Sequence, residues 1–128
     1  MRKSLTLAAV LFVVACGSLE NDMAANQCDA AQWKGFGFED GVRGMDAGSF
    51  GARNGDCDPA ANDIRRERYM AGYADGVARF CTAENGYNQG ATGYVYKGIC
   101  PIALEDKFVK ALKEGHRAAQ RQKVAGTI

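Results

Sequence analysis

The chain has 128 residues, 47% of them hydrophobic, with 16 Lys and Arg against 15 Asp and Glu and a formal net charge of +1. That balance, with no run of five like charges, argues against a nucleic-acid partner. The length supports one small domain with little area to bury, so a further source of stability is expected.

The first segment reads as an export signal. Met1-Arg2-Lys3 is a short cationic start, Ser4 to Val14 is nearly all apolar, and Val13-Val14-Ala15-Cys16 resembles the bacterial lipobox. The apolar run is too short for a transmembrane helix, which needs about 20 apolar residues. Residues 1–15 are therefore expected to be removed as a lipoprotein signal peptide, leaving Cys16 as a lipidated, palmitate-bearing N-terminus. Gly17 stands where a retention Asp would sit, which by analogy with bacterial sorting points to the outer membrane. Residues 16–27 then form a lipidated, flexible tether, and residues 28–128 a single domain in the periplasm.

Three helices are predicted in that domain, which makes its class mainly α. The first runs from about Ala30 to Gly44 with Asp29 as its cap, followed by a Gly, Asn and Asp-rich loop from Asp46 to Asp58. The second spans about Asp63 to Phe80, capped by Asn62 or Asp63. Between Cys81 and Cys100, six turn-prone residues (Asn85, Gly86, Asn88, Gly90, Gly93, Gly98) interleave with Tyr87, Tyr94 and Tyr96, so a Gly/Tyr-rich loop or short hairpin is expected. Pro101 opens the third helix, where Leu104, Phe108, Leu112, Gly115 and Ala119 form an apolar stripe.

Cys28, Cys57, Cys81 and Cys100 are an even set in an exported chain, so two disulfides are expected to staple the domain. No Cys-x-x-Cys pair occurs and the sole histidine, His116, lies far off, which argues against a metal; no cofactor is expected. Cys57 and Cys81 flank the second helix, whose eighteen residues span about 27 Å, whereas a disulfide needs Cα atoms within about 7 Å. That pairing is excluded. Two alternatives remain open. Cys81 with Cys100 and Cys28 with Cys57 is preferred, since the first of these closes a local loop; Cys28 with Cys81 and Cys57 with Cys100 stands beside it.

Glycine inside a helix costs about 1 kcal/mol relative to alanine, yet Gly37, Gly41, Gly44 and Gly48 are spaced to fall on one face, as are Gly72 and Gly76. The stretch from Gly37 to Val42 aligns with that from Gly72 to Val77, four of six positions being identical. A helix duplication packing on itself through these glycines is expected. Asp40 and Asp75 lie at the edge of that contact. A paired-carboxylate site is one reading of them; the preferred one pairs Asp40 with Arg43 and Asp75 with Arg79 across a helical turn. Arg65, Arg66 and Arg68 are expected to spread around a solvated face.

These residues together resemble an uncharacterised bacterial lipoprotein family, domain of unknown function 2799. The resemblance covers most of Cys28 to Gly115: Trp33, Gly37, Asp40, Gly41 and Gly44; Cys57; Tyr69, Gly72, Gly76 and Cys81; Gly86, Gly90, Gly93, Tyr96, Gly98, Cys100 and Pro101; Phe108 and Gly115. Leu112 stands where the family often has an aromatic. The resemblance implies an exported, cysteine-stapled lipoprotein and carries no activity, substrate or catalytic residue with it.

A non-enzymatic envelope module is therefore expected, membrane-anchored and binding a partner protein, peptidoglycan or a glycan, or serving a structural role. Tyr87, Tyr94 and Tyr96 are its candidate binding loop, as an aromatic platform; the competing reading folds them into the core. The alternative is a small periplasmic hydrolase or a hydrolase (lysozyme) inhibitor, the hydrolase drawing on His116 with Asp40, Asp75 or Ser49, though no serine or cysteine nucleophile signature accompanies them.

Overall fold

The computed structural model of the chain describes residues 27–126. The expected signal peptide, Cys16 and all but the last residue of the expected tether lie outside them. The described residues are mainly helical, without strands. Asp29 caps a 3-10 turn, Ala30–Gln32, by accepting the Ala31 N–H at 2.9 Å, and α1 follows at Trp33–Val42. Then come α2 (Ser49–Asn54), a second 3-10 turn (Pro59–Ala61), α3 (Asn62–Phe80), α4 (Ala83–Ala91) and α5 (Ile102–Ala125).

Five helices thus replace the three expected. The loop between Cys81 and Cys100 is half helical: Thr82 caps α4 by accepting the Asn85 N–H at 3.2 Å. The loop before α3 likewise contains α2. The first helix is shorter than its glycine spacing suggested. Gly44, at φ 68°, lies beyond its end; the Gly44 N–H reaches the Gly41 carbonyl and the Met45 N–H the Asp40 carbonyl, both at 3.0 Å. This is the left-handed glycine closure of a Schellman motif. Gly93, at φ 87°, closes α4 through the same pair of bonds, from Gly93 to Gly90 and from Tyr94 to Gln89. Gly48, expected on the helix face, sits instead in the loop, where its N–H bonds to Asp46 Oδ1 at 2.7 Å.

The helices form two parallel pairs, each held by a glycine seam and each with a connection that crosses back from the end of its first helix to the start of its second. In the first pair, α1 lies against α3 so closely that a Cβ on Gly41 would fall 2.6 Å from the Tyr73 carbonyl oxygen; Gly37, Gly72 and Gly76 likewise face the partner helix's backbone. In the second, α4 lies against α5: a Cβ on Gly86 would fall 2.5 Å from the Phe108 carbonyl, and Gly90 and Gly115 face backbone across the seam. Disulfides join Cys28 to Cys57 where both helices of the first pair begin and Cys81 to Cys100 where both helices of the second begin, with Cα separations of 5.4 and 5.7 Å. This is the pairing preferred from the sequence.

The second pair repeats the first. An offset of 53 residues carries Cys28, the capping Asp29 and Gly37 onto Cys81, the capping Thr82 and Gly90; an offset of 43 carries Cys57 and Gly72 onto Cys100 and Gly115. The contacts obey the same offsets. Gly37 faces the Tyr69 carbonyl and Tyr73 N–H while Gly90 faces those of Leu112 and His116; Gly72 faces the Lys34 carbonyl and Phe38 N–H while Gly115 faces those of Tyr87 and Ala91. The similarity between Gly37 to Val42 and Gly72 to Val77 therefore relates the two sides of one seam, and the larger repeat is the stapled pair of parallel helices.

Aromatic side chains fill the space beside the seams. Trp33 meets Phe36 and Phe50 edge-on at 5.7 and 5.0 Å, Phe50 meets Tyr69 at 5.4 Å, and Tyr69 stacks on Tyr73 at 6.0 Å. Phe80, the last residue of α3, joins the two helix pairs: its ring lies 5.2 Å from Phe108 and 5.8 Å from Tyr94, and its far edge rests on Gly44.

Candidate functional site

The densest polar cluster sits under the segment that crosses back from the end of α1 to the start of α3. Asp40 is 0% exposed, because its neighbours Gly37 and Gly41 draw that face of α1 onto α3. A buried carboxylate needs a partner, and it receives three bonds. Arg53 of α2 donates from Nε to Oδ2 at 3.0 Å and from Nη2 to Oδ1 at 2.8 Å, while the Tyr69 hydroxyl donates to Oδ2 at 2.9 Å. The Arg53 guanidinium also lies over the Phe36 ring, 5.2 Å from its centroid. Bonding to Asp40 raises the Arg53 pKa above its ordinary value; burial first, then the Asp40 bond, holds the Tyr69 phenol well above its own.

A second cluster adjoins it. Arg65, only 2% exposed, donates from Nε to Asn54 Oδ1 at 2.7 Å and from Nη2 to the Asp58 carbonyl. Asn54 Nδ2 in turn donates to Asn62 Oδ1 at 2.8 Å. Both clusters, with the Cys28–Cys57 bond, fasten residues 45–61 to the first helix pair. Their donors and acceptors face one another, so the arrangement acts as a clamp.

Several expectations are corrected here. Asp40 pairs with Arg53 and Tyr69 rather than Arg43, because its burial excludes a solvated neighbour one turn away. Asp75 approaches Lys34 Nζ at 4.0 Å across the seam, with both side chains largely exposed, while Arg79 instead lies over the Phe38 ring at 5.4 Å. Asp40 and Asp75 do not converge. Arg65 leaves the solvated face expected for it, because the loop carbonyl of Asp58 and the amide of Asn54 need a buried donor; Arg66 lies over Phe50 at 4.7 Å.

The tyrosine platform is not assembled either. Tyr87 stands on α4, 43% exposed, whereas Tyr94 and Tyr96 turn inward, Tyr94 onto Phe80 and Tyr96 onto Phe108 at 5.6 Å. The Tyr96 hydroxyl donates to Glu105 at 2.9 Å and accepts the Cys100 N–H at 3.0 Å, pinning the loop to the start of α5. The Tyr94 hydroxyl is buried without a hydrogen-bond partner among the described residues.

His116 Nε2 lies 3.0 Å from the Tyr94 carbonyl oxygen, and among the described residues no carboxylate bonds to its ring. Ser49, the first residue of α2, is not drawn to it. Among the described residues no group of three His, Cys, Asp or Glu side chains gathers as metal ligands would. Arg53 and Arg65 were the residues hardest to find in advance. Arg53 lies 13 residues from Asp40 in a loop without periodicity, and the signal was indirect: an acidic residue between two seam glycines has to be satisfied from another element.

No curated protein and no solved structure matches the chain. One family model does match, over residues 32–117, from the start of α1 into the middle of α5, and the chain belongs to the family it describes, "Protein of unknown function (DUF2799)".

Proposed function

We propose that the chain is a cell-envelope lipoprotein, lipidated at Cys16 after loss of residues 1–15, whose body acts without catalysis as a tethered binding or structural module in the periplasm, on the outer membrane. One observation carries this reading: each helix pair is clasped where its two helices begin by its own disulfide, Cys28–Cys57 and Cys81–Cys100. Paired staples of this kind form and persist in oxidising compartments. They suit a fold whose helices meet through glycine backbone and bury no side chain along the seam itself. The non-enzymatic role rests on the polar clusters being engaged internally; the partner is an envelope protein, a glycan or peptidoglycan.

Intact-mass spectrometry of the chain recovered from its native membranes tests this. The expected species lacks residues 1–15, carries diacylglycerol and an acyl chain on Cys16, and is four hydrogens lighter than the reduced form. A reduced, unacylated chain retaining Met1 would overturn the reading. Crosslinking from Tyr87, the tyrosine of the three that is exposed, then captures the partner.

A further inference from the structure

The near-neutral total charge conceals a division within the molecule. Residues 27–106 carry 8 basic and 12 acidic side chains, a net of −4, while residues 107–126 carry 6 basic and 1 acidic, a net of +5. The positive part is α5 from Lys107 onward; over its full length, with Glu105 and Asp106 in its first turn and a half, the helix carries 6 basic and 3 acidic side chains, a net of +3. Its core face is set by Phe108, Ala111, Leu112 and Gly115, which are buried against α4 and the rest of the body. Lys110, Lys113, Arg117 and Arg121 recur at steps of three, four and four and are all exposed. At about 100° per residue they fall within about 80° of arc, centred opposite the core face. The line is about 16 Å long at 1.5 Å per residue, and Val124, 69% exposed, continues it by one turn. Asp106 precedes the line by a turn and Glu114 flanks it. Among the described residues, none of the four cations lies within ion-pair distance of a carboxylate.

We infer that this face of α5 docks on a membrane surface through the phosphates of anionic phospholipids. A straight row of four cations ending in an exposed aliphatic side chain suits a flat anionic interface, where each Lys or Arg near the surface adds about 1 kcal/mol of attraction and an apolar residue enters the headgroup layer. The remaining body, at −4, is repelled by the same surface, so one orientation is favoured. Among the described residues no helix is long and apolar enough to cross a membrane, so the contact is peripheral. The inference deepens the envelope reading and rests on it for which membrane is met: the lipid anchor sets the distance, and α5 sets the pose.

Cosedimentation of the purified full chain tests it, using vesicles of phosphatidylcholine alone and vesicles in which phosphatidylglycerol replaces part of it. Neutral vesicles report the affinity of the apolar N-terminal segment, so the ratio isolates the charge effect. At low salt the ratio should exceed tenfold, at up to about fivefold per cation engaged, and fall towards unity as salt rises. K110E/K113E/R117E/R121E should abolish it while keeping both disulfides and the helical circular dichroism. Should that variant fail to fold, the neutralising K113Q/R117Q should roughly halve the logarithm of the ratio. A ratio near one for the unmodified chain, or a preference surviving charge reversal, overturns the inference. So does salt-sensitive self-association lost on reversal without any vesicle preference, which would give the face to a second copy. None of these outcomes bears on the mass of the processed chain, so the envelope reading fails or stands separately.

Discussion

At Gly37 the absence of a single methyl group sets the distance between two helices, since a Cβ there would collide with the Tyr69 carbonyl; at Gly35, two residues earlier in the same helix, a Cβ would meet nothing within 4 Å. The pair makes a matched experiment. Gly35→Ala gains about 1 kcal/mol of helix propensity and should raise the melting temperature by about 4 to 8 °C. Gly37→Ala gains the same propensity but must part the seam, an overpacking that costs about 1 to 3 kcal/mol and occasionally more, so its melting temperature should fall. Thermal melts followed by circular dichroism decide it, and two variants that melt alike would remove the seam from the account. The spacing of Gly37, Gly41, Gly72 and Gly76 made this contact legible. Gly44 and Gly48 continued the spacing on paper only, because a Schellman closure had already ended the helix. The partner of Asp40 was illegible for a related reason: local pairing rules describe wet helix surfaces, and Asp40 is dry.

Among the elements, α4 is the instructive failure. Asn85, Gly86, Asn88 and Gly90 are poor helix formers, and nine residues fall short of the 12 to 15 at which isolated helices become marginal. Packing against α5 overrides that propensity. The usable signal was Gly86-x-x-x-Gly90, the same spacing as in the helices that were recognised, set between two cysteines at matching offsets. Because α4 depends on its neighbour, the Cys81–Cys100 bond should matter most there. By loop-closure entropy, removing a bond between cysteines 19 positions apart costs about 3 kcal/mol. In C81S/C100S, hydrogen exchange should accelerate across residues 83–91 and the facing turns of α5 while the α1 and α3 amides stay protected. Uniform acceleration would mean that the two helix pairs open together. Residue 80 should mark the boundary, as Phe80 is the principal aromatic bridge between them.

For the molecule as a whole, the aromatic filling ties stability to alkaline pH. Tyr69, Tyr73, Tyr94 and Tyr96 all have raised pKa values, with burial the leading cause in each. A raised folded-state value means that the neutral phenol is preferred in the fold. The stabilisation is then complete below the ordinary tyrosine value of about 10 and is lost as pH rises beyond it through the folded-state values. The urea midpoint should therefore show no tyrosine contribution to its slope below about pH 9. It should decline above about pH 10, as the unfolding free energy falls by up to about 1.4 kcal/mol per pH unit for each phenol still protonated only in the fold. A midpoint unchanged at high pH would show that these hydroxyls are reached by solvent. The helical class, the boundaries of α3 within one residue and the exclusion of a Cys57–Cys81 bond were readable from spacing and geometry; between the two pairings left open, the preferred one is the one formed. The division into two helix pairs was not readable, because no local pattern reports that two differently spaced halves share one plan.

The repeat of a clasped helix pair bears on how such chains change length. Each unit is clasped by a cystine where its two helices begin and covers its own glycines, so a further unit appended beyond Ala125 would leave both existing ones intact, needing only an aromatic ring to seat it as Phe80 seats the second. Homologous proteins should accordingly grow or shrink in steps of one unit, roughly fifty residues, because a fraction of a unit would leave a bare backbone groove with nothing to fill it.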